Sequence, residues 1–325
     1  MPRVIFVPQY PTPMRYQEWW WNKFPEEFAK EDLDVLILGA EHAEMMQYRR
    51  GTMSMFSPIH AAIELECAQI DEYMNLETKE DDILFLADIS FPGFFSNVLF
   101  HKRVKRMFAF CHATSKNYKD YFAPLKNQKF PIETAHSQLF DAVFIGSDYH
   151  DDKLKWDNTL VTRLPYPPFE GVKINKKSFD IMSASRPNPQ KVDALLERNV
   201  ETRFGKIHRP ETSTWFNYQW NLACSKILLI TSFEDTFGYQ IVDAVMNDCI
   251  PLAPNSCSYP ELLSREYLYE DEEELMRKID YILNGNMPEF GVVDVPKLLC
   301  HDEMTNFYKH IIEVLKGEIE PDYPF

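Results

Sequence analysis

The sequence predicts an α/β chain of two parallel-sheet domains, and three observations carry that reading. Short apolar runs of strand length alternate with helical patterns along the chain, as in a parallel sheet with helical crossovers. The run LPYPP, Leu164 to Pro168, breaks regular structure near the middle, and the alternation restarts after it. The 325 residues suffice for two domains with separate cores, and 45% hydrophobic with 14% aromatic content is globular.

In the first half the predicted strands are RVIFVPQ, DVLILGA, DDILFLADI, RMFAFCH and DAVFIGS. Helical patterns cover EWWWNKFPEEFAKE and HAAIELECAQIDEYMNLE. In the second half FDIMSAS, ETRFGKI, KILLITS and CIPLAP continue the strand series, followed by the acidic helix DEEELMRKIDYIL. The expected domains are 1–165 and 166–305, with a last helical segment over 306–325.

Composition removes several classes of function. Ten glycines form neither a G-x-G-x-x-G nor a G-x-x-x-x-G-K-S/T loop, which disfavours nicotinamide dehydrogenases and P-loop kinases. The six cysteines are scattered, without C-x-x-C or His/Cys spacing for zinc, and read as buried free thiols. The start, MPRVIFVPQYP, enters a strand without the features of a secretory leader, and no apolar run approaches a membrane span. A soluble, cytoplasmic protein is expected, in the host cytoplasm if the chain is viral. The net charge of −16 disfavours a polyanionic partner, but its distribution is uneven. Between Ile89 and Ile132 eight basic residues face one acid, Asp120, for a local +7 with many aromatics interleaved.

The stretch EDTFGYQIVDAV, Glu234 to Val245, follows the strand KILLITS. It reads as an acidic turn, a glycine and an amphipathic helix carrying a second acid, Asp243, eight positions after Asp235. Gly238 permits close backbone approach where the helix start, Thr236 to Tyr239, favours anionic groups. Two acids framing such a site suit a sugar attached to a diphosphate.

This arrangement, Asp235-Thr236-Phe237-Gly238 with Asp243 and the following CIPLAPNSCSYPELL, resembles the E-G-F-G-x-x-x-x-E donor motif of retaining GT-B glycosyltransferases. The family is the large glycogen-synthase-like family four. The resemblance implies two Rossmann-like domains facing across a cleft, the first binding acceptor and the second a nucleotide sugar, UDP-sugar foremost. It also implies transfer with retention, no metal, and a last helix crossing back to the first domain. Arg186 and Lys191, five positions apart, match the Arg–Lys pair that holds the donor diphosphate. His112 in FAFCHATS matches the histidine that faces the donor sugar, and Asp243 would hold the ribose. Both motif acids are Asp where Glu is usual, and the sequence leaves open whether Glu234 or Asp235 faces the sugar.

On the acceptor side, Asp88 in LADISFPG ends a strand and is read as an acceptor contact or a turn-starting Asp. The opening loop lacks the glycines frequent in the family, and Arg15, Tyr16 and Gln17 are read as side-chain replacements; Trp19, Trp20 and Trp21 are read as packing. Lys102, Arg103, Lys105 and Arg106 head the basic segment as candidate acceptor contacts. A D-x-D, Asp32-Leu33-Asp34, precedes a strand instead of following one and implies no metal.

CIPLAPNSCSYPELL looks like the corresponding part of the queuosine mannosyltransferase group, whose acceptor is a modified nucleoside in tRNA. The stretches around HATS and FIGSDYH look like glycosyltransferases of viral genomes, some of which decorate hydroxymethylated pyrimidines in phage DNA. A modified base in DNA or RNA is therefore the expected acceptor. The alternatives are a lipid-linked or polysaccharide acceptor, or a non-catalytic binding protein on a decayed GT-B fold.

Overall fold

The structure, a computed structural model, describes residues 2–12, 16–49, 58–89, 98–102, 104–119, 123–165, 171–185, 190–210, 214–286 and 301–318. Its first half holds a six-stranded sheet of β1 (Arg3–Val7), β2 (Asp34–Ile37), β3 (Ile83–Leu86), β4 (Arg106–Cys111), β5 (Ala142–Ile145) and β6 (Thr159–Val161). All pairs are parallel, in the order β2-β1-β3-β4-β5-β6. Every residue of β3 and β5 is buried, which is why both read as continuous apolar runs instead of alternating ones. The crossovers include α1 (Tyr16–Lys30), α2 (Ala40–Arg49), α3 (Pro58–Asn75), the single turn α4 (Leu99–His101), α5 (Lys126–Ser137) and α6 (Asp148–Leu154).

The second half builds a four-stranded parallel sheet, β10-β9-β8-β7. Its elements are β7 (Phe179–Met182), α7 (Ala194–Phe204), α8 (Trp215–Ala223), β8 (Ser225–Leu229), α9 (Tyr239–Met246), β9 (Ile250–Pro254), β10 (Leu268–Tyr269) and α10 (Glu272–Leu283). One strand expectation fails. ETRFGKI is not a strand: Glu201 to Phe204 finish α7, and only His208 makes an isolated bridge, to Met182. Asp193 caps α7 through Leu195 N (3.1 Å) and Leu196 N (3.0 Å), and Gly205 ends it at φ +93°. Val200 and Phe204 lie one helical turn apart, a spacing that the strand reading overlooked.

The last helix, α11 (His301–Lys316), starts five residues before the expected segment at 306 and packs on the first half. Tyr308 meets Phe24 of α1 edge-on with ring centroids 5.2 Å apart, and Phe307 lies 6.2 Å from Phe110 of β4. With Phe6, Phe85 and Phe144 these rings form an aromatic core. Each buried ring contributes roughly 1.5–3 kcal/mol of transfer free energy, so this core alone would hold the crossing helix in place. Among the described residues no helix is long and apolar enough to cross a membrane.

Candidate active site between the two sheets

In parallel sheets all strands end on the same side, and there the two halves meet. Residues 232–238 form a tight turn after β8, and Gly238 takes φ +94° where α9 begins. A Cβ at Gly238 would also press on Leu262 (3.2 Å) and Tyr259 (3.3 Å), so glycine is required on two counts. Asp235 organises the turn: its Oδ1 accepts from Phe237 N (3.2 Å) and Gly238 N (2.9 Å), and its Oδ2 pairs with Lys191 Nζ at 2.9 Å. Burial alone would raise this carboxyl, but Lys191 and the two N–H groups outweigh it and hold the acid below the usual carboxylate range. Lys191 Nζ donates as well to the Glu234 carbonyl at 2.7 Å.

Glu234 points the other way. Its carboxylate is nearly sealed from solvent and receives four donors, all from the first half. Oε1 accepts from Asn117 Nδ2 (3.2 Å) and the Tyr149 hydroxyl (3.0 Å); Oε2 accepts from Tyr118 N (2.9 Å) and pairs with Lys153 Nζ. Glu234 therefore ties the halves together, while Asp235 meets the cation beside it. The two neighbouring acids thus turn in different directions, Asp235 to Lys191 and Glu234 into the first half.

His112, directly after β4, faces this turn. Its Nε2 lies 3.1 Å from the Ala87 carbonyl, which can only accept, so Nε2 carries the hydrogen and Nδ1 is left as an acceptor. Burial pushes the imidazole down to about 3, so the ring is neutral near pH 7. Tyr16 packs on it with ring centroids 4.5 Å apart, Trp20 at 4.9 Å, and Tyr16 also stacks on Tyr239 at 6.0 Å. Thr236 bridges the halves, donating from its hydroxyl to the His112 carbonyl (3.0 Å) and accepting at its own carbonyl from Ser147 Oγ (2.6 Å). The Tyr239 hydroxyl donates to the Pro165 carbonyl at 3.0 Å.

The structure thus brings together His112, Lys191, Asp235, Thr236, Phe237, Gly238 and Tyr239. Asp243, on the second turn of α9, is buried against α8: the Tyr218 hydroxyl donates to it at 2.9 Å and Gln219 Nε2 at 3.3 Å. Asp88 ends β3 on the same sheet edge as His112 and accepts from Gln9 Nε2 at 2.6 Å, Gln9 following β1. In this strand order the direction of winding reverses between β1 and β3, where open sheets place ligand contacts. Arg15, Arg103 and Arg186 lie outside the described residues.

The remaining basic candidates are not brought to the site. Lys102 and Lys105 precede β4 and Arg106 begins it, so they sit at the N-terminal edge, about 20 Å from His112 along the strand. Lys102 Nζ donates to the carbonyls of Met74 (3.3 Å) and Leu76 at the end of α3. Arg106 donates to the Val314 carbonyl (2.8 Å) at the end of α11. Both cations serve helix C-termini, where a positive charge is favourable. Asp32 lies in the connection from α1 to β2 and Asp34 begins β2, at that same far edge.

Sequence reasoning missed Asn117, Ser147, Tyr149, Lys153 and Glu261. Glu261 accepts from Asp148 N (3.0 Å) and Tyr149 N (2.8 Å) at the start of α6 and pairs with Arg163, adding a further tie between the halves. Only Ser147 had a local signal: it caps α6 by accepting from His150 N at 3.1 Å, as a serine ahead of acidic residues suggests.

Two Rossmann-like parallel sheets whose strand ends meet, with an acid–lysine turn at the junction and a helix crossing back, define the GT-B glycosyltransferase fold. The solved structures agree. HepE of Anabaena, determined with UDP and glucose, superposes with a TM-score of 0.57 at 12% identity, covering 98% of both chains. Sucrose-phosphate synthase of Thermosynechococcus elongatus gives 0.59 at 10% identity, covering 98% of this chain and 97% of its own. The tRNA-queuosine alpha-mannosyltransferase of Drosophila melanogaster is 32% identical over 93 residues, spanning 28% of this chain and about a quarter (23%) of that protein. No protein-family model matches the chain.

Proposed function

We propose that this chain is a retaining glycosyltransferase that moves a sugar from a nucleotide donor, UDP-sugar foremost, to a hydroxyl of a modified base in DNA or RNA. The single observation that carries the donor side is the Lys191–Asp235 pair at 2.9 Å on a Gly238 turn, at the junction of two GT-B sheets. The bond between the anomeric carbon and the diphosphate breaks while the acceptor oxygen bonds to that carbon from the same face. The acceptor proton leaves with the diphosphate. Charge grows on the leaving group, so fixed cations stabilise the transition state more than the bound donor. Lys191 and Arg186 are assigned that role, Asp243 the ribose, and Asp235 with the neutral His112 the sugar hydroxyls. Lys191 must turn from Asp235 to the diphosphate as the donor enters.

Support for a nucleic-acid acceptor comes from the local likeness to an enzyme named for a tRNA nucleoside. The experiment is incubation with radiolabelled UDP-glucose and separate acceptors: hydroxymethylpyrimidine DNA, modified tRNA and a glycan pool. Label in DNA or tRNA is expected. Label in the glycan pool alone would sink the acceptor reading and leave the donor reading standing.

A further inference from the structure

The Glu234 cage has a side facing solvent. Tyr118, whose N–H donates into the cage, and Phe233, the residue before Glu234, hold their rings outward at 51% and 43% exposure. One ring comes from each half, and they meet edge-on with centroids 6.1 Å apart. Lys119 sits above both, its Nζ 5.0 Å from either centroid. Its backbone takes φ +53°, sparsely populated for a side-chain-bearing residue. Leaving two large rings in water forgoes burial that the same residues would gain by turning inward. The rings stay out because the Glu234 bonds hold both backbones at the junction.

A second cation, Lys116, precedes Tyr118 by two residues. Lys116 is exposed, donates to the Lys153 carbonyl at 2.8 Å and lies 4.0 Å from the Phe130 centroid. Burial of its stem, then repulsion from Lys155 and Lys153, lower its ammonium from the ordinary lysine range. Lys116 and Lys119 follow β4 on the edge that carries His112 and Asp235, and Phe233 is two residues from Asp235. Aromatic faces with cations beside them fit one ligand chemistry: a planar base with phosphate attached.

We propose that Tyr118 and Phe233 are the platform on which a single-stranded or flipped-out base of the nucleic-acid acceptor stacks, with its flanking phosphates on Lys119 and Lys116. The proposal rests on the acceptor reading above and moves its contact surface from Lys102–Arg106 to the opposite edge of the sheet. Because each half supplies one ring, the platform is complete only while the Glu234 cage is closed. Acceptor docking is thereby tied to an assembled donor site. The net charge of −16 opposes the approach of a polyanion and keeps the binding weak.

The test is fluorescence anisotropy of a labelled single-stranded RNA of about 12 nucleotides, and of DNA of the same sequence, which a patch of this size can engage. Tyr118→Ala and Phe233→Ala are each expected to weaken binding about tenfold, as loss of one stacking face does. Lys119→Ala should weaken it and lower the salt slope by about one. Lys105→Ala, at the far edge, should bind as wild type. Thermal melts confirm that each variant is folded. Undiminished binding in the Tyr118→Ala/Phe233→Ala double variant would overturn the platform while sparing the nucleic-acid reading. Absence of any oligonucleotide binding by the wild-type protein would overturn both. Stabilisation of the wild-type protein by UDP-glucose reports on the donor reading independently of both oligonucleotide arms.

Discussion

Lys191 and Asp235 meet at 2.9 Å across the ends of two neighbouring strands, the lysine after β7 and the acid after β8. Each is held by more than its partner: Lys191 also binds the Glu234 carbonyl, and Asp235 also binds two N–H groups of its turn. Loss of the lysine would leave the acid anchored and the turn intact. Lys191→Ala is therefore expected to reduce transfer about 100-fold, the usual effect of removing one transition-state charge contact. The fold should survive, because the side chain lies outside the apolar core. Steady-state kinetics beside a thermal melt decides this, and near-wild-type turnover would remove Lys191 from the mechanism.

Glu234 and Asp235 should separate cleanly. Glu234→Gln puts an amide donor among four donors in a sealed pocket and leaves Lys153 without its counter-charge, a loss of about 3 kcal/mol or more. Asp235→Asn keeps an acceptor oxygen for the turn and should reduce turnover more than stability. Urea titration and initial rates on both variants test the division. A silent Glu234→Gln with a stability loss in Asp235→Asn would reverse it.

With the ribose assigned to Asp243 as proposed above, Asp243→Asn should weaken UDP binding about tenfold, because that contact would become a neutral hydrogen bond. Tyr218→Phe, which removes a donor now held by the same carboxylate, should leave UDP affinity equal or improved. Calorimetric titration of UDP measures both. Unchanged affinity in Asp243→Asn would confine that acid to tying α9 to α8.

Three buried histidines predict acid lability. Desolvation lowers His112 and His150 to about 3 and His136 to about 4, while an unfolded chain titrates near the ordinary 6.5. Between those values the unfolded state binds more protons, so stability falls as pH drops from 6.5 towards 4. Together the loss is on the order of several kcal/mol. Neither ring nitrogen of His150 has a hydrogen-bond partner among the described residues. His150→Phe should therefore raise stability at pH 5 and flatten the profile. A melting temperature unchanged between pH 6.5 and 4 would contradict this account.

Activity should persist in chelator, because side chains and the Thr236–Tyr239 turn are assigned to the diphosphate. Complete loss with EDTA, restored by magnesium or manganese, would show that a divalent cation shares that task.

The sequence by itself determined the alternation of strands and helices and the Asp235–Gly238–Asp243 turn and helix. These are local properties: apolar periodicity and one glycine at positive φ require no distant partner. It misjudged ETRFGKI, where a helix end and a short apolar run differ only by the spacing of Val200 and Phe204. The tertiary structure decided which charges meet. Nothing local says that Glu234 reaches Asn117, Tyr118, Tyr149 and Lys153, more than 80 residues away in each case. Nor does the local sequence divide the basic segment into two groups. β4 runs through it, placing Lys102, Lys105 and Arg106 at one edge of the sheet and Lys116 and Lys119 at the other. A strand turns nearness in sequence into about 20 Å in space, and so a charge count over the segment predicted one basic face where the fold makes two.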